Sequence, residues 1–382
     1  MEIPLSISNR MAESARAFLE DQSVRVPRDL RDLLDVEVGQ FMSFRTLDDR
    51  ILSLQIMPAF EEDLFQDSTV AYVTPATHAL LVKEDNSAEL KIVEGITLGC
   101  DPEFFLVATN GDIVHPGRFF RKYHQLGYDG MLAEIRPLPA LDEYGLTDNI
   151  GNLLAEADQK MRQKGFRDIR MLAASHYKGL TAGFHLHFGL PAEVLGVEEI
   201  KKRVLSQIVR ALDYYVAIPG VIHEGIKDSQ RRCAAFLPYG KVGDFRMDHR
   251  TLEYRVAGGA LLKHPVLTRG LIALGATVVE DAISRIKHCT NDFQNLENMS
   301  ELSHLQDLYP NVPTAYRLYQ LCCVPDSHAA KDELDIIVED VSTMVGFNKR
   351  RTSVLEFFDA LEHDFSPCLR SNWLSQSKSA SF

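Results

Sequence analysis

Ile96-Thr97-Leu98-Gly99-Cys100-Asp101-Pro102-Glu103-Phe104-Phe105-Leu106-Val107 is apolar enough for a strand, yet it carries two acids two positions apart. In a strand that spacing projects both carboxylates from one face. Two like charges held that close repel, so they need a cation between them or a shared proton. A divalent hard cation meets the need, because Mg²⁺ takes oxygen ligands. Pro102 has no N–H for a ladder, which predicts a bulge or a sheet edge at that point.

Three later stretches repeat the arrangement. Asp129–Pro137 puts Glu134 and Arg136 on one face, Gly183–Gly189 does the same for His185 and His187, and Thr251–Val256 for Glu253 and Arg255. The intervening positions are apolar: Ala133 and Ile135; Phe184, Leu186 and Phe188; Leu252, Tyr254 and Val256. Laid in one sheet, these strands give one core face and one floor of carboxylates, imidazoles and guanidinium groups. Asp101, Glu103, Glu134, His185, His187 and Glu253 form a carboxylate-rich donor set, which suits Mg²⁺ or Mn²⁺ better than structural zinc. Paired Mg²⁺ ions beside arginines are a common means of holding polyphosphate. Neither a Gly-x-x-x-x-Gly-Lys-Ser/Thr loop nor a Gly-x-Gly-x-x-Gly turn occurs, so a bound nucleotide would be held through metals and arginines.

The rest of the chain frames this centre. Its 382 residues allow two or three domains. Residues 1–94 read as an α/β preface, with short helices at Met11–Asp21 and Pro27–Asp35 and strands at Ile51–Met57, Thr69–Val73 and Ala79–Val82. Residues 95–262 read as the catalytic core. Within it, a helix is predicted over Thr147–Gly165 with Thr147 as cap, and another over Val197–Ala217 ended by Pro219-Gly220. Residues 263–382 read as a helical C-terminal region with a polar tail from Ser375. The stretch from His223 to Phe245 is irregular and cationic, with Lys227, Arg231, Arg232 and Lys241, followed by Arg246.

Composition narrows the class further. A net charge of −13 disfavours a protein that works by neutralising nucleic-acid phosphates. Six cysteines without a Cys-x-x-Cys pair fit a reducing cytoplasm. No apolar run approaches the about 20 residues of a membrane span.

Gly-x-Asp-x-Glu at Gly99–Glu103, the Glu134 strand, His-x-His-x-Gly at His185–Gly189, the cationic loop Arg231–Arg246 and Glu-x-Arg at Glu253–Arg255 occur in a familiar order. In that order they resemble the glutamine synthetase-like carboxylate–amine ligases, most closely the phage-associated (amidoligase) branch. The resemblance covers about Gly99 to Gly259. The commoner first motif of these ligases is Gly-x-Glu-x-Glu, so Asp101 is one methylene short.

The resemblance implies an α+β fold with a mixed, mostly antiparallel curved sheet backed by helices. It implies a ligase that uses ATP and Mg²⁺ (or Mn²⁺) to form an amide or peptide bond through an acyl phosphate. Asp101, Glu103, Glu134, His187 and Glu253 would hold metal. Arg255 would stabilise the transferring phosphoryl group, with Glu253 and Arg246 also at the reacting centre. Arg231, Arg232, Lys241, His185 and Arg255 would contact the nucleotide. Small-molecule or peptide carboxylates and amines would be the substrates, with no nucleic acid or membrane partner, in the cytoplasm of the host cell if the gene is a phage's. Related ligases often assemble into oligomers. Two other classes fit parts of the pattern: a metal-dependent hydrolase or oxygenase built on His-x-His and a later Glu, and a non-catalytic phage-associated scaffold of this fold.

Overall fold

The computed structural model describes residues 2–7, 11, 23–34, 41–45, 51–60, 70–82, 87–91, 96–191, 198–233, 240–248, 251–290, 308–323 and 327–374. Strands β1 (Glu2–Ile7), β2 (Ser23–Val26), β3 (Phe41–Arg45), β4 (Ile51–Pro58), β5 (Ala71–Val73) and β6 (Ser87–Lys91) close into a barrel in the order β1-β5-β2-β4-β3-β6. Helix α1 (Arg28–Leu34) follows β2, and α2 (Pro75–Leu81) follows β5. The barrel buries its own apolar cluster, with Val24, Val26, Phe44, Leu54, Ile56 and Val73 at its centre. The strand expected at Ala79–Val82 belongs instead to α2. Thr74 caps this helix by accepting from Thr77 N at 3.2 Å, and Pro75 supplies the preset φ of its first residue. The helix expected at Met11–Asp21 lies outside the described residues except at Met11.

The polar-faced stretches form one antiparallel sheet. Its strands are β7 (Thr97–Val107), β8 (Leu126–Asp129), β9 (Leu132–Ile135), β10 (Arg170–Leu172), β13 (Phe184–Gly189), β14 (Phe245–Asp248) and β15 (Thr251–Tyr254). The order is β14-β15-β13-β7-β9-β8, and β10 pairs with the far half of β7. A small hairpin, β11 (His176–Tyr177) and β12 (Leu180–Thr181), covers Phe105 and Val107, so the polar floor ends at Glu103.

Pro102 is neither bulged nor at an edge. Its strand is central, and the register with β13 runs unbroken through Phe184–Pro102. Glu103 N donates to Gly183 O at 2.9 Å, so the neighbouring position 102 turns its missing N–H toward the other side of β7. On that side the strand is bridged at Leu98 by Ala140 and paired at Phe104 by Ala133. The proline falls between these contacts and costs the ladder nothing.

Helices cover the apolar face. They are α3 (Glu143–Gln163), α4 (Glu198–Leu212), α5 (Ile218–Ser229), α6 (Pro265–Thr290), α7 (Ala315–Cys323), α8 (Ser327–Asp332), α9 (Leu334–Ser342) and α10 (Phe347–Ala360). Helix α3 starts a turn earlier than expected. Asp142 rather than Thr147 is its cap, accepting from Gly145 N at 2.8 Å, while Thr147 sits inside the helix and bonds back to Glu143 O. Gly165, in the left-handed region at φ 86°, lies just past its end as expected. Pro219-Gly220 does not stop the chain's helical course. A π turn over Asp213–Ala217 precedes it, and the widened turn accommodates a residue with no N–H before α5 continues. Helix α6 lies directly on the sheet. A side chain at Gly275 would come within 2.8 Å of the Phe188 ring, so the glycine sets that distance. The core is continuous from Ile96 on the sheet to Leu369 near the C-terminus.

Candidate active site

Register alone assembles the polar face. Gly99 pairs with His187, His187 with Glu253, and Glu253 with Arg246, so these four stand in one row across β7, β13, β15 and β14. One step along, Asp101 pairs with His185, and Arg255 follows just past the end of β15. One step further, Glu103 stands opposite Glu134. Because the Glu103 N–H points to β13, the Glu103–Glu134 pair is the narrow, non-hydrogen-bonded kind, with Cα atoms about 4.5 Å apart. Gly99 serves the row by its smallness: a Cβ there would stand 3.3 Å from that of His187.

The side chains converge on an open pocket lined by Asp101, Glu103, Asp129, Leu132, Glu134, Thr181, His185, Arg246, Glu253 and Arg255. Asp101 Oδ1 lies 3.0 Å from His185 Nδ1 and 3.3 Å from His187 Nε2. Arg246 Nε donates to Glu253 Oε2 at 2.6 Å, and Arg255 Nε lies 3.3 Å from Glu253 Oε1. Arg255 Nη1 lies 3.8 Å from Asp244. Glu103 Oε2 accepts from Gly183 N at 2.6 Å. Glu134 is paired with Arg136, whose other nitrogen donates to the carbonyls of His124 (3.0 Å) and Lys122 (3.3 Å). Gly127 leaves room for that guanidinium; a Cβ there would meet it at 2.5 Å.

The electrostatics follow from packing acids and imidazoles together out of water. Burial works to raise Asp101, but the His187 and His185 imidazoles hold it far below the ordinary carboxylate range. Burial, reinforced by the Asp101 charge, pushes Glu134 up to about 7, against the pull of Arg136. For His185 burial acts downward, and the surrounding carboxylates, Asp101 first, outweigh it and raise the imidazole to about 9. His187 is shifted upward by the same balance. Protons on the imidazoles and on Glu134 thus stand where cations would relieve the crowding.

Asp101, His187 and Glu253 offer donor atoms within 4.8 Å of one another. Asp101 Oδ1, His187 Nε2 and Glu253 Oε1 are also shielded from solvent, each with a polar neighbour at 3.0–3.3 Å. Two carboxylates and one imidazole, convergent and with their donor atoms shielded from solvent, fit a divalent cation. Glu103 and Glu134, also in the pocket, fit the same chemistry.

Not every residue expected at the site reaches it. Arg231 and Arg232 do not line the pocket. Both side chains are wholly buried against Glu224, at 3.5 and 2.8 Å, and both donate to the carbonyl of Val256. In this arrangement their charges face Glu224 and the Val256 carbonyl just past β15, away from the lining residues of the pocket. Lys241 is exposed on the turn before β14 and is not among the lining residues. Conversely, Asp129, Leu132 and Thr181 line the pocket without having been singled out. Asp129 and Leu132 close the β8–β9 hairpin two positions from Gly127 and Glu134. That hairpin register, with Gly130 as its turn residue, was the available signal for both. Thr181 had none, since its hairpin is only two residues deep per strand.

Over residues 98–366 the sequence matches the family described as phage phiEco32-like COOH.NH2 ligase-type 2. The chain belongs to that family. It is accordingly a carboxylate–amine ligase, an enzyme that joins carbon to nitrogen, on an antiparallel sheet backed by helices. No curated protein matches the sequence. Among solved structures the chain is similar to the ligase PafA in complex with the prokaryotic ubiquitin-like protein Pup, at 11% identity and TM-score 0.41, covering 74% of this chain and 67% of that one. It is similar to a GmaS/ADP complex at 12% identity and TM-score 0.35, covering 75% and 81%. A bifunctional glutathione synthetase from Pasteurella multocida gives 11% identity and TM-score 0.37 over 74% of this chain; the match spans about half of that protein, 52%. Among the described residues no helix is long and apolar enough to cross a membrane.

Proposed function

We propose that the pocket binds ATP with Mg²⁺ or Mn²⁺ and joins a substrate carboxylate to an amine through an acyl phosphate. The observation that carries this reading is the convergence of Asp101, His187 and Glu253, with donor atoms shielded from solvent, beside two arginines anchored on Glu253. Asp101, Glu103, Glu134, His187 and Glu253 would hold the cations, which supply charge neutralisation for the phosphates. Arg255 and Arg246 stand at the β14–β15 end of the pocket and would face the phosphoryl group in transfer. His185 would contact the nucleotide phosphates from the row between them.

The substrate carboxylate oxygen attacks the γ-phosphorus and the bond to ADP breaks. The amine nitrogen then attacks the acyl carbon, phosphate leaves, and a proton leaves the nitrogen. The donor set of two carboxylates and one imidazole favours a hard cation over the iron of an oxygenase. Substrates are taken to be small molecules or peptides, and the cytoplasm, with its ATP and reduced thiols, is the expected compartment. We place a separate unit at 1–94, the catalytic core at 95–262 and its helical cover at 263–382.

Phosphate release from ATP with Mg²⁺, measured while pools of amino acids, peptides and polyamines are added, tests the reading. Release that needs a carboxylate and an amine together is the expected result. Glu103→Gln and Arg255→Ala should each abolish most of it; if neither lowers turnover of an active parent, the site lies elsewhere.

A further inference from the structure

Behind the sheet, on the face away from the pocket, one buried acid ties down the strands that carry the arginines. Asp213 opens the π turn between α4 and α5 and is 2% exposed. Its Oδ1 accepts from the Tyr254 hydroxyl at 2.9 Å, and its Oδ2 accepts from Gly243 N at 2.9 Å. Tyr254 lies on β15 between Glu253 and Arg255. Gly243 precedes Asp244, whose carbonyl accepts from Arg255 N at 3.0 Å and whose carboxylate lies 3.8 Å from the Arg255 guanidinium. One carboxylate therefore grips one end of the β14–β15 hairpin at two points, Tyr254 and Gly243, which adjoin the paired Arg255 and Asp244.

We propose that Asp213 is a positioning residue for Arg255, Glu253 and Arg246, acting through Tyr254 and the turn at Gly243. The inference rests on the ligase reading of the pocket. Its physical content is a matter of register and height. Among the described residues β14 is the last strand in the sheet order. The two bonds from Asp213 hold β15 at Tyr254 and the chain at Gly243, just before β14 begins. An α-helical turn would carry the next side chains round by about 100° each and spread them over the cylinder. The π turn instead aims Asp213 at the sheet while Tyr214 and Tyr215 bond to Glu333 (3.0 Å) and Asp340 (2.8 Å) at the edge of the C-terminal helices.

That geometry supplies its own control. Tyr254→Phe removes a buried phenol bond that faces the arginine hairpin, and Tyr215→Phe removes a comparable bond that faces the helices. Asp213→Asn keeps one acceptor oxygen where two are used. For Tyr254→Phe and Asp213→Asn, kcat for phosphate release should fall on the order of tenfold or more, since sub-ångström to ångström misplacement of a charge-stabilising group has effects of that size. Affinity for ATP with Mg²⁺, read by calorimetry, should weaken in the same two variants. Tyr215→Phe should keep both values near the parent's even where its melting temperature drops as far.

Hydrogen exchange at 243–255 reads the clamp without any activity and should accelerate in Asp213→Asn and Tyr254→Phe but not in Tyr215→Phe. Unchanged exchange there, or an equal loss of kcat in Tyr215→Phe, overturns the positioning role. A parent chain that binds no ATP with any metal, yet shows the exchange difference, refutes the ligase reading and leaves the clamp established.

Discussion

Replacing Glu224 by Gln separates a structural role for Arg231 and Arg232 from a ligand-binding one. All three side chains are fully buried, with Arg232 Nη2 2.8 Å and Arg231 Nη2 3.5 Å from the same oxygen, Glu224 Oε1. At an effective dielectric constant of about 20, those separations correspond to attractions of roughly 6 and 5 kcal/mol, most of which offsets the cost of taking the charges out of water. Removing one partner of a buried pair exposes that cost, typically about 3–5 kcal/mol. The glutamine amide keeps an acceptor oxygen, so the lower end, about 3 kcal/mol, is expected. For a folded unit of this size that is a fall in melting temperature of roughly 5 °C. Thermal and urea unfolding give the stability, and initial rates against ATP concentration at low temperature give KM for the protein that remains folded. The expected result is a large loss of stability with KM for ATP within about twofold of the parent, because both arginines still donate to Val256 O. An unchanged melting temperature with KM raised tenfold would refute the reasoning and return the two arginines to the nucleotide.

Two further predictions use other parts of the molecule. Burial, aided by the nearby charge of Lys263, depresses His223 from 6.5 to about 4. Above pH 6.5 it is neutral in both folded and unfolded chains; as pH falls, the unfolded chain takes up a proton that the folded one refuses until near 4. Its stabilising contribution is therefore present above 6.5 and lost toward 4, by about 3 kcal/mol. Urea titrations at pH 7 and pH 4.5 should show a smaller difference for His223→Asn than for the parent, and equal differences would count against a neutral buried imidazole. In the pocket, Asp101→Asn should weaken Mn²⁺ binding by at least tenfold in titrations followed by electron paramagnetic resonance, since it removes one of three convergent donors. Unaltered affinity would place the ion elsewhere.

Although β8 and β14 lie in stretches that read as loop and irregular chain, the sequence by itself determined the four strands that carry the polar pairs and which face of each is polar. That information is local: alternation of Asp101 and Glu103 with Cys100 and Phe104, or of His185 and His187 with Leu186 and Phe188, is set by a two-residue period whatever the strand pairs with. It also carried the family, through the order of those pairs. Tertiary structure decided which charges meet. Arg231 and Arg232 look like surface or ligand cations in the chain, and only the approach of Glu224 and the Val256 carbonyl turns them into buried anchors. Asp213 has no local mark at all, since its partners lie 30 and 41 residues away. The same holds for Ala79–Leu81, apolar enough for a strand but drawn into a helix by Thr74 and Pro75 at its start. A side chain's direction follows from the backbone beside it, whereas its electrostatic partner is set by the packing of distant segments, where burial makes each charge require a specific neighbour.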